Sequence, residues 1–218
     1  GIFLVTGMAA GFAGMFGTPI AAVIFAVEVL AAGEMRYEAL LPAFTASFSA
    51  SAVASLLGIH KENLTIHISE SLTPFLLVRL ITLGIIFGIT GGLFAWCLKR
   101  TKKYLGEKIK NPLVRVFSIG VVLSILFLVL YRGRYCGFGT NLVEAVFTGE
   151  KVYAYDWALK FILTVLTLSA GFQGGEVTPL FTIGATLGAV LGSLFGIPVE
   201  LSAALGYAAV FGGGTNTL

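Results

Sequence analysis

Residues 170–179 read Ala170-Gly171-Phe172-Gln173-Gly174-Gly175-Glu176-Val177-Thr178-Pro179, and an apolar stretch follows directly. Three glycines and a proline in ten residues predict irregular backbone that gives way to a helix beginning at 176–178. Apolar helices predicted on both sides put this segment at membrane depth, where irregular backbone is tolerated only if it is buried in protein or lines a water-filled cavity. The helix would present free N–H groups and the positive end of its dipole there, which predicts an anion site made from main chain.

The composition is that of a membrane protein. Of the 218 residues, 57% are hydrophobic and only 11% are charged, whereas a soluble domain has about 25% charged residues. The mean hydropathy is +0.95, so we predict a polytopic membrane protein of the cell membrane. The 28 glycines suit close helix crossings and broken helices. Cys97 and Cys136 match no disulfide or metal-ligand spacing, and neither a metal nor a cofactor is predicted.

The chain opens with 27 residues that carry no charge, but Gly17-Thr18-Pro19 interrupts them. Since proline favours a first helical turn over a helix interior, two short helices are predicted, at 2–15 and 19–32. Further apolar helices are predicted at 40–57, 74–98, 114–131, 157–170 and 201–211, with a short one at 142–147. Because both ends fall inside apolar or glycine-rich sequence, we expect the chain to be a fragment that lacks the N-terminal part and the C-terminal end.

A basic segment at 99–115 gives the orientation. It holds seven Lys and Arg residues against the single acid Glu107, and such short loops remain on the cytoplasmic side. A nucleic-acid-binding patch is the other interpretation, but the position beside a membrane span explains the charge, and no nucleic-acid partner is predicted. The polar segment 58–73, with His60 and His67, is predicted to be an external loop with solvated histidines.

An internal repeat is visible at an offset of 199 residues. Placing Gly7 on Gly206 also aligns the pairs Ala9/Ala208, Ala10/Ala209, Phe12/Phe211, Gly14/Gly213 and Thr18/Thr217. Such a repeat is typical of transporters in which two related halves meet around a midplane site.

Two motifs resemble the CLC family of chloride channels and anion/proton antiporters. The first is Gly7-Met8-Ala9-Ala10-Gly11-Phe12-Ala13-Gly14-Met15-Phe16-Gly17-Thr18-Pro19-Ile20-Ala21-Ala22-Val23-Ile24-Phe25-Ala26-Val27-Glu28, which is similar to the family's long motif before its two inner glutamates. The second is Gly174-Gly175-Glu176-Val177-Thr178-Pro179, at the place of the family's GxFxP motif. Both stand in the family's order and spacing.

The resemblance implies an all-α polytopic membrane protein of the CLC type, with tilted, broken and re-entrant helices in inverted repeats. Residues 1–70 would be the C-terminal part of the first repeat, and residues 71–218 a second repeat truncated at its end. Proteins of this family are homodimers with one anion pathway per subunit. The first broken helix pair and the helix at 40–57 match family regions near the dimer interface.

Two departures from the family pattern resemble its fluoride-exporting branch, in which fluoride leaves the cell in exchange for protons. The family's intracellular proton glutamate falls on Val29, so only Glu28 of the pair is acidic. Glu176 and Thr178 stand where the family usually has apolar residues. The function implied is fluoride/proton antiport; the alternative is a chloride channel or chloride/proton antiporter of the same family.

The candidate anion ligands lie in the second motif: Gly174, Gly175, Glu176, Val177 and Thr178. N–H groups of Glu176 and Val177 and the Thr178 hydroxyl can replace the water of a small anion. Glu176 can relay a proton if it is protonated beside the anion; otherwise its carboxylate caps the helix. The Thr178 hydroxyl could instead bond to its own helical turn.

Glu28 is a weaker proton-relay candidate. A carboxylate that faces the cytosol or pairs with Arg36 is the preferred interpretation. Tyr207 and Phe211 are predicted to serve packing rather than anion contact. Two other classes fit less well. An intramembrane enzyme is disfavoured because the predicted spans carry no GxSxG, HExxH or paired-carboxylate motif, and a membrane scaffold would not need broken helices.

Overall fold

The computed structural model describes residues 1–29, 35–59 and 73–215. Within these residues every regular element is helical. The α-helices are α1 (Ile2–Phe16), α2 (Pro19–Glu28), α3 (Leu40–Leu56), α4 (Pro74–Lys108), α5 (Pro112–Val129), α6 (Thr140–Phe147), α7 (Asp156–Ala170), α8 (Val177–Phe195) and α9 (Val199–Thr215). Short 3₁₀ turns precede α3 and follow α5.

The described residues divide into two compact units, residues 1–29 with 35–59, and residues 73–215. In the first, α1 ends at Gly17, whose φ of 71° is left-handed and whose N–H donates to Ala13 O at 2.9 Å. Pro19 then begins α2, so the predicted break between two short helices is present. Small residues fill the core of this unit: Val5, Ala9, Val23, Ala26, Val27, Ala39 and Ala43.

Four helical segments of the described residues are long and apolar enough to cross a membrane: Tyr37–Leu56, Pro74–Lys108, Pro112–Val129 and Val177–Phe195. α1 and α2 are shorter apolar helices. This arrangement agrees with a multi-pass protein that combines full spans with broken helices.

The second unit is built around α8, which packs against α7, α9 and α6. About three consecutive turns near its start, from Pro179 to Ala189, are buried. α8 and α9 touch through their backbones, since a Cβ on Gly184 would lie only 2.0 Å from Gly206 O and one on Gly188 only 2.3 Å from Ser202 O. Glycine is therefore required at this crossing.

A buried carboxylate organises the segment between α5 and α7. Asp156 is fully buried and accepts hydrogen bonds from Tyr135 Oη at 2.6 Å and Arg134 Nη2 at 2.8 Å, as well as from the Tyr153 N–H at 2.9 Å. Burial and the bond to Asp156 raise the pKa of Tyr135 above its ordinary value. The network fixes the loop that precedes α6 relative to the start of α7.

The largest difference from the predicted elements is in α4. The sequence predicts a span at 74–98 followed by a basic loop at 99–115, whereas the helix continues to Lys108. Lys, Arg and Leu are strong helix formers, and Lys103 pairs with Glu107 at 3.9 Å across one turn. Only 109–111 separate α4 from α5. Similarly, α9 reaches Thr215, four residues beyond its predicted end.

Candidate functional site

The candidate anion site is the junction between α7 and α8. α7 ends at Gly171, whose φ of 107° only glycine adopts readily. Residues 172–175 form no regular element, and α8 begins at Val177 with Glu176 at its N-cap position. The predicted interruption and helix start are both present. Gly174 and Gly175 are exposed, whereas Glu176, Val177 and Thr178 are half-buried.

The backbone donors of this junction are unpaired. The first backbone bond of α8 runs from Leu180 N–H to Glu176 O at 3.1 Å. Among the residues that the structure describes, none accepts a hydrogen bond from the N–H groups of Gly174, Gly175, Glu176, Val177 or Thr178. Pro179 has no N–H to offer. The positive end of α8 therefore presents a row of main-chain donors to whatever lies in front of it.

Glu176 does not cap α8. Its carboxylate makes no capping hydrogen bond, so the helix-capping alternative is not the arrangement in this structure. A half-buried carboxyl group beside five unpaired N–H groups is free to interact with a ligand, with water or with a proton donor. The geometry thus leaves the relay hypothesis for Glu176 standing.

The Thr178 hydroxyl likewise does not adopt the alternative arrangement, a hydrogen bond back to its own helical turn. Hydrogen bonds of the threonine hydroxyl back to its own turn are formed elsewhere in α8, for instance by Thr186 to Thr182 O at 2.7 Å. Within the described part of the chain, the Thr178 hydroxyl makes no such bond, although its carbonyl accepts one from Thr182 Oγ1 at 3.1 Å. Its donor remains available on the first turn of the helix.

A buried lysine supports the first turns of α8 from behind. Lys160, on α7, is 2% exposed and donates to Tyr135 O at 3.0 Å and Gly137 O at 2.7 Å. Thr182 Oγ1 lies 3.0 Å from the next carbonyl, Phe138 O. This layer joins the loop before α6 to α7 through Lys160 and to α8 through Thr182. In the sequence, the one signal for Lys160 is a lone cation in an apolar helix, which does not indicate its partners.

Arg115 reaches the other end of the junction. Its Nε donates to Ala170 O at 3.0 Å, although 55 residues separate the two positions. A Cβ on Gly171 would lie 3.5 Å from Arg115 Nη2. A cation at the C-terminal end of α7 is favourable for the dipole of that helix. In the sequence, Arg115 stands out only as one cation of the basic segment 99–115.

The remaining predicted residues lie as follows. Glu28 ends α2 and is buried, 9% exposed, rather than facing solvent. Arg36 forms an ion pair with Glu38 at 3.6 Å. Tyr207 stacks on Phe181 with ring centroids 4.1 Å apart, and Phe211 also contacts Phe181, so the predicted packing role is formed. His60 and His67 lie outside the described residues.

Two surface concavities are lined by residues other than those of this junction. One, of about 470 Å³, is at the α1–α2 break and is lined by Thr18, Ile24, Phe48 and neighbouring apolar residues. The other, of about 490 Å³, lies beside Tyr131 and Arg132. Volume alone therefore does not locate the candidate site; its unpaired donors do.

The sequence matches the model of one protein family, described as voltage gated chloride channel, over residues 1–218. The chain belongs to this family, the CLC family, and the predicted all-α, polytopic CLC-type fold is confirmed. A crystal structure of a CLC-type fluoride/proton antiporter superposes with a TM-score of 0.95 and 54% identity, over 97% of this chain and 54% of that one.

Curated relatives agree with this assignment. A chloride/fluoride channel protein of Pseudomonas syringae pv. tomato is 36% identical over 222 residues, which cover 99% of this chain and 49% of the relative. An H(+)/Cl(−) exchange transporter ClcA of Salmonella arizonae is 26% identical over 194 residues, 85% of this chain and 40% of the relative. The chain spans about half the length of the relatives it matches.

Proposed function

We propose that this chain carries the main-chain anion site of a fluoride/proton antiporter that exports fluoride from the cell. The observation that carries the proposal is the row of unpaired N–H groups from Gly174 to Thr178 at the start of α8. The printed descriptions of two relatives, a fluoride/proton antiporter and a chloride/fluoride channel protein, support fluoride as the anion.

The chemistry of the junction suits a small, strongly hydrated anion. Desolvation of fluoride is expensive, so its water must be replaced by short, charge-assisted hydrogen bonds. Amide N–H groups at a helix start and the Thr178 hydroxyl supply such donors without adding a charged side chain. An apolar lining could not do so.

Glu176 provides a route for the proton. In its ionised form the carboxylate would repel an anion held by the adjacent amides; in its protonated form it donates a hydrogen bond to that anion. Loading the anion and the proton together therefore lowers the electrostatic cost of each. This reciprocity links the proton occupancy of Glu176 to the anion occupancy of the neighbouring amides.

A second function, chloride transport, rests on a specific observation. Several relatives at 24–28% identity are described as chloride channels or H(+)/Cl(−) exchange transporters. Backbone N–H groups bind chloride as well as fluoride. The identity is lower than with the two fluoride relatives, and we place chloride second.

The remaining assignments belong to the same proposal. The protein acts as a transporter and not as an enzyme, forms a homodimer in the bilayer, and takes a halide and protons as substrates. The basic end of α4 with 109–115 lies on the cytoplasmic side. Residues 1–70 and 71–218 belong to two inverted repeats.

The test is Glu176→Gln in the full-length protein, reconstituted in liposomes with an inward fluoride gradient and recorded by a fluoride electrode and a pH electrode. Since glutamine cannot carry the exchangeable proton, proton-coupled fluoride flux should fall at least about tenfold, the equivalent of about 1.4 kcal/mol. Glu150→Gln, which removes an exposed acid from a loop, should leave the flux unchanged. A wild-type rate in Glu176→Gln would refute the relay.

A further inference from the structure

α4 is longer than a bilayer. Its 35 residues extend about 52 Å at 1.5 Å per residue, whereas the hydrocarbon core is about 30 Å thick. Even at a tilt of 40°, about 40 Å of helix lies along the membrane normal. Because the apolar part, 74–98, already fills the hydrocarbon, the helical turns after Leu98 stand at the level of the phosphate groups or beyond.

One face of α4 stays exposed along this length. Ile85, Ile89 and Leu93 follow one another at a spacing of four residues, and each has about half or more of its surface exposed. Residues three and four apart share a helix face. Past Leu93 the same face carries aromatic and cationic side chains in place of aliphatic ones. The opposite face, with Phe87 and Phe94, is buried in the core.

The continuation is a regular alternation of aromatic and cationic side chains: Trp96, Arg100, Tyr104 and Lys108, here called the aromatic–basic stripe. Trp96 is 57% and Tyr104 54% exposed. Arg100 Cζ lies 5.4 Å from the centre of the Trp96 ring. Lys108 Nζ donates to Tyr104 Oη at 3.0 Å. The contacts hold each cation against the ring that precedes it, and both cations are exposed.

The partner of this face must contact hydrocarbon and negative charge at once. Tryptophan and tyrosine concentrate where the hydrocarbon meets the headgroups, and Arg and Lys beyond them attract anionic lipid with about 1 kcal/mol for each cation near the surface. We propose that the aromatic–basic stripe binds anionic phospholipid, with the acyl chains along Ile85–Leu93 and the phosphate at Arg100 and Lys108.

Other polyanions fit this surface less well. A nucleic acid or an acidic soluble protein could pair with Arg100 and Lys108. It could not contact Trp96 or the apolar residues 85–93, because these lie in the bilayer. Glu107, the single acid in the described segment 96–115, is paired with Lys103. The charge that faces outward is therefore positive throughout the stripe.

The experiment measures lipid and not ion flux, so its result is independent of the transport proposal. The full-length protein is assembled in nanodiscs of equal parts phosphatidylglycerol and phosphatidylcholine, and the lipid retained after detergent extraction is counted by native mass spectrometry. The test variant is Arg100→Gln/Lys108→Gln. The matched control is Lys102→Gln/Lys110→Gln, which removes the same charge from the same segment at exposed residues outside the stripe.

We expect the wild type and the control to retain phosphatidylglycerol in preference to phosphatidylcholine. In the test variant, the ratio of retained phosphatidylglycerol to phosphatidylcholine should be at least about threefold lower. Equal loss in both double variants would show that total charge alone matters and would overturn the stripe. Equal retention of the two lipids by the wild type would overturn it as well. Unchanged helical circular dichroism verifies that the test variant is folded, so a loss of the preference cannot be attributed to misfolding.

Discussion

At the scale of single residues, the candidate site depends on which groups lack partners. Thr178 and Thr182 are one turn apart on α8, but only Thr182 directs its hydroxyl to protein carbonyls, Phe138 O and Thr178 O. The Thr182 hydroxyl therefore serves packing, whereas the Thr178 hydroxyl, one turn earlier, is the one we propose as an anion donor.

This difference predicts opposite outcomes for two alanine substitutions in the full-length protein. Thr178→Ala removes a hydrogen-bond donor, and this loss weakens the binding of a small anion more than that of a large one. The ratio of fluoride to chloride flux in liposomes should therefore fall about five- to tenfold, or about 1 to 1.4 kcal/mol. Thr182→Ala should lower thermal stability and leave that ratio unchanged. Unchanged selectivity in Thr178→Ala would remove its hydroxyl from the site.

Some residues of the candidate site could be identified from the sequence and others could not, for a physical reason. Gly174 to Thr178 could be identified because turn residues, a helix start and an intramembrane acid follow one another in the chain. Arg115 and Lys160 could not, since their partners are carbonyls 55 and 23 or 25 residues away. Any residue type has a carbonyl, so such partners leave no mark in the sequence.

At the scale of elements, α5 holds the junction at two points. Arg115 binds the last carbonyl of α7, and a Cβ on Gly120 would lie 3.1 Å from Phe172 Cζ, which places the Phe172 ring directly on the helix backbone. The irregular backbone of 171–175 is therefore packed against α5 at its start. This support keeps the N–H groups before α8 in one orientation.

We expect Arg115→Gln in the full-length protein to weaken fluoride binding, raising the fluoride KM about three- to tenfold with a smaller effect on the maximal rate, because the junction loses its anchor. Arg115→Lys keeps the charge without the Nε bond and should restore the binding only partly. Lys110→Gln removes an exposed charge nearby and is the control. If it raises KM as much as Arg115→Gln does, the effect is one of bulk charge and the anchoring role is wrong.

Element boundaries show what a hydrophobic pattern can and cannot fix. The break at Gly17-Thr18-Pro19 and the start of α8 were predictable from glycine and proline chemistry. The end of α4 was not, because hydropathy marks where a helix leaves the hydrocarbon and not where its hydrogen bonding ends. Ten further residues of helix, through Lys108, follow from propensity and from the Lys103–Glu107 pair.

At the scale of the whole molecule, family and fold were predictable, since both motifs carry the resemblance and the match covers all 218 residues. Orientation remains a prediction. If the basic end of α4 is cytoplasmic, α5, with 18 residues and a length of about 27 Å, returns the chain to the outside. Cys136, which is exposed, then faces the exterior.

We therefore expect a membrane-impermeant maleimide added to intact cells to label Cys136. Cys97 lies in the apolar part of α4 and should stay unlabelled. In a Cys136→Ser background, Lys102→Cys should react only after the cells are permeabilised. Labelling in the reverse order would invert the orientation given by the basic segment.

The backbone-to-backbone crossing of Gly184 with Gly206 limits how α8 can move. With no side chains between them, the two helices cannot slide past each other without a clash of carbonyl oxygens, so α8 keeps a fixed position against α9. If the N–H groups at the start of α8 hold the anion as proposed, kinetic differences among members of the family should arise in elements outside this helix pair.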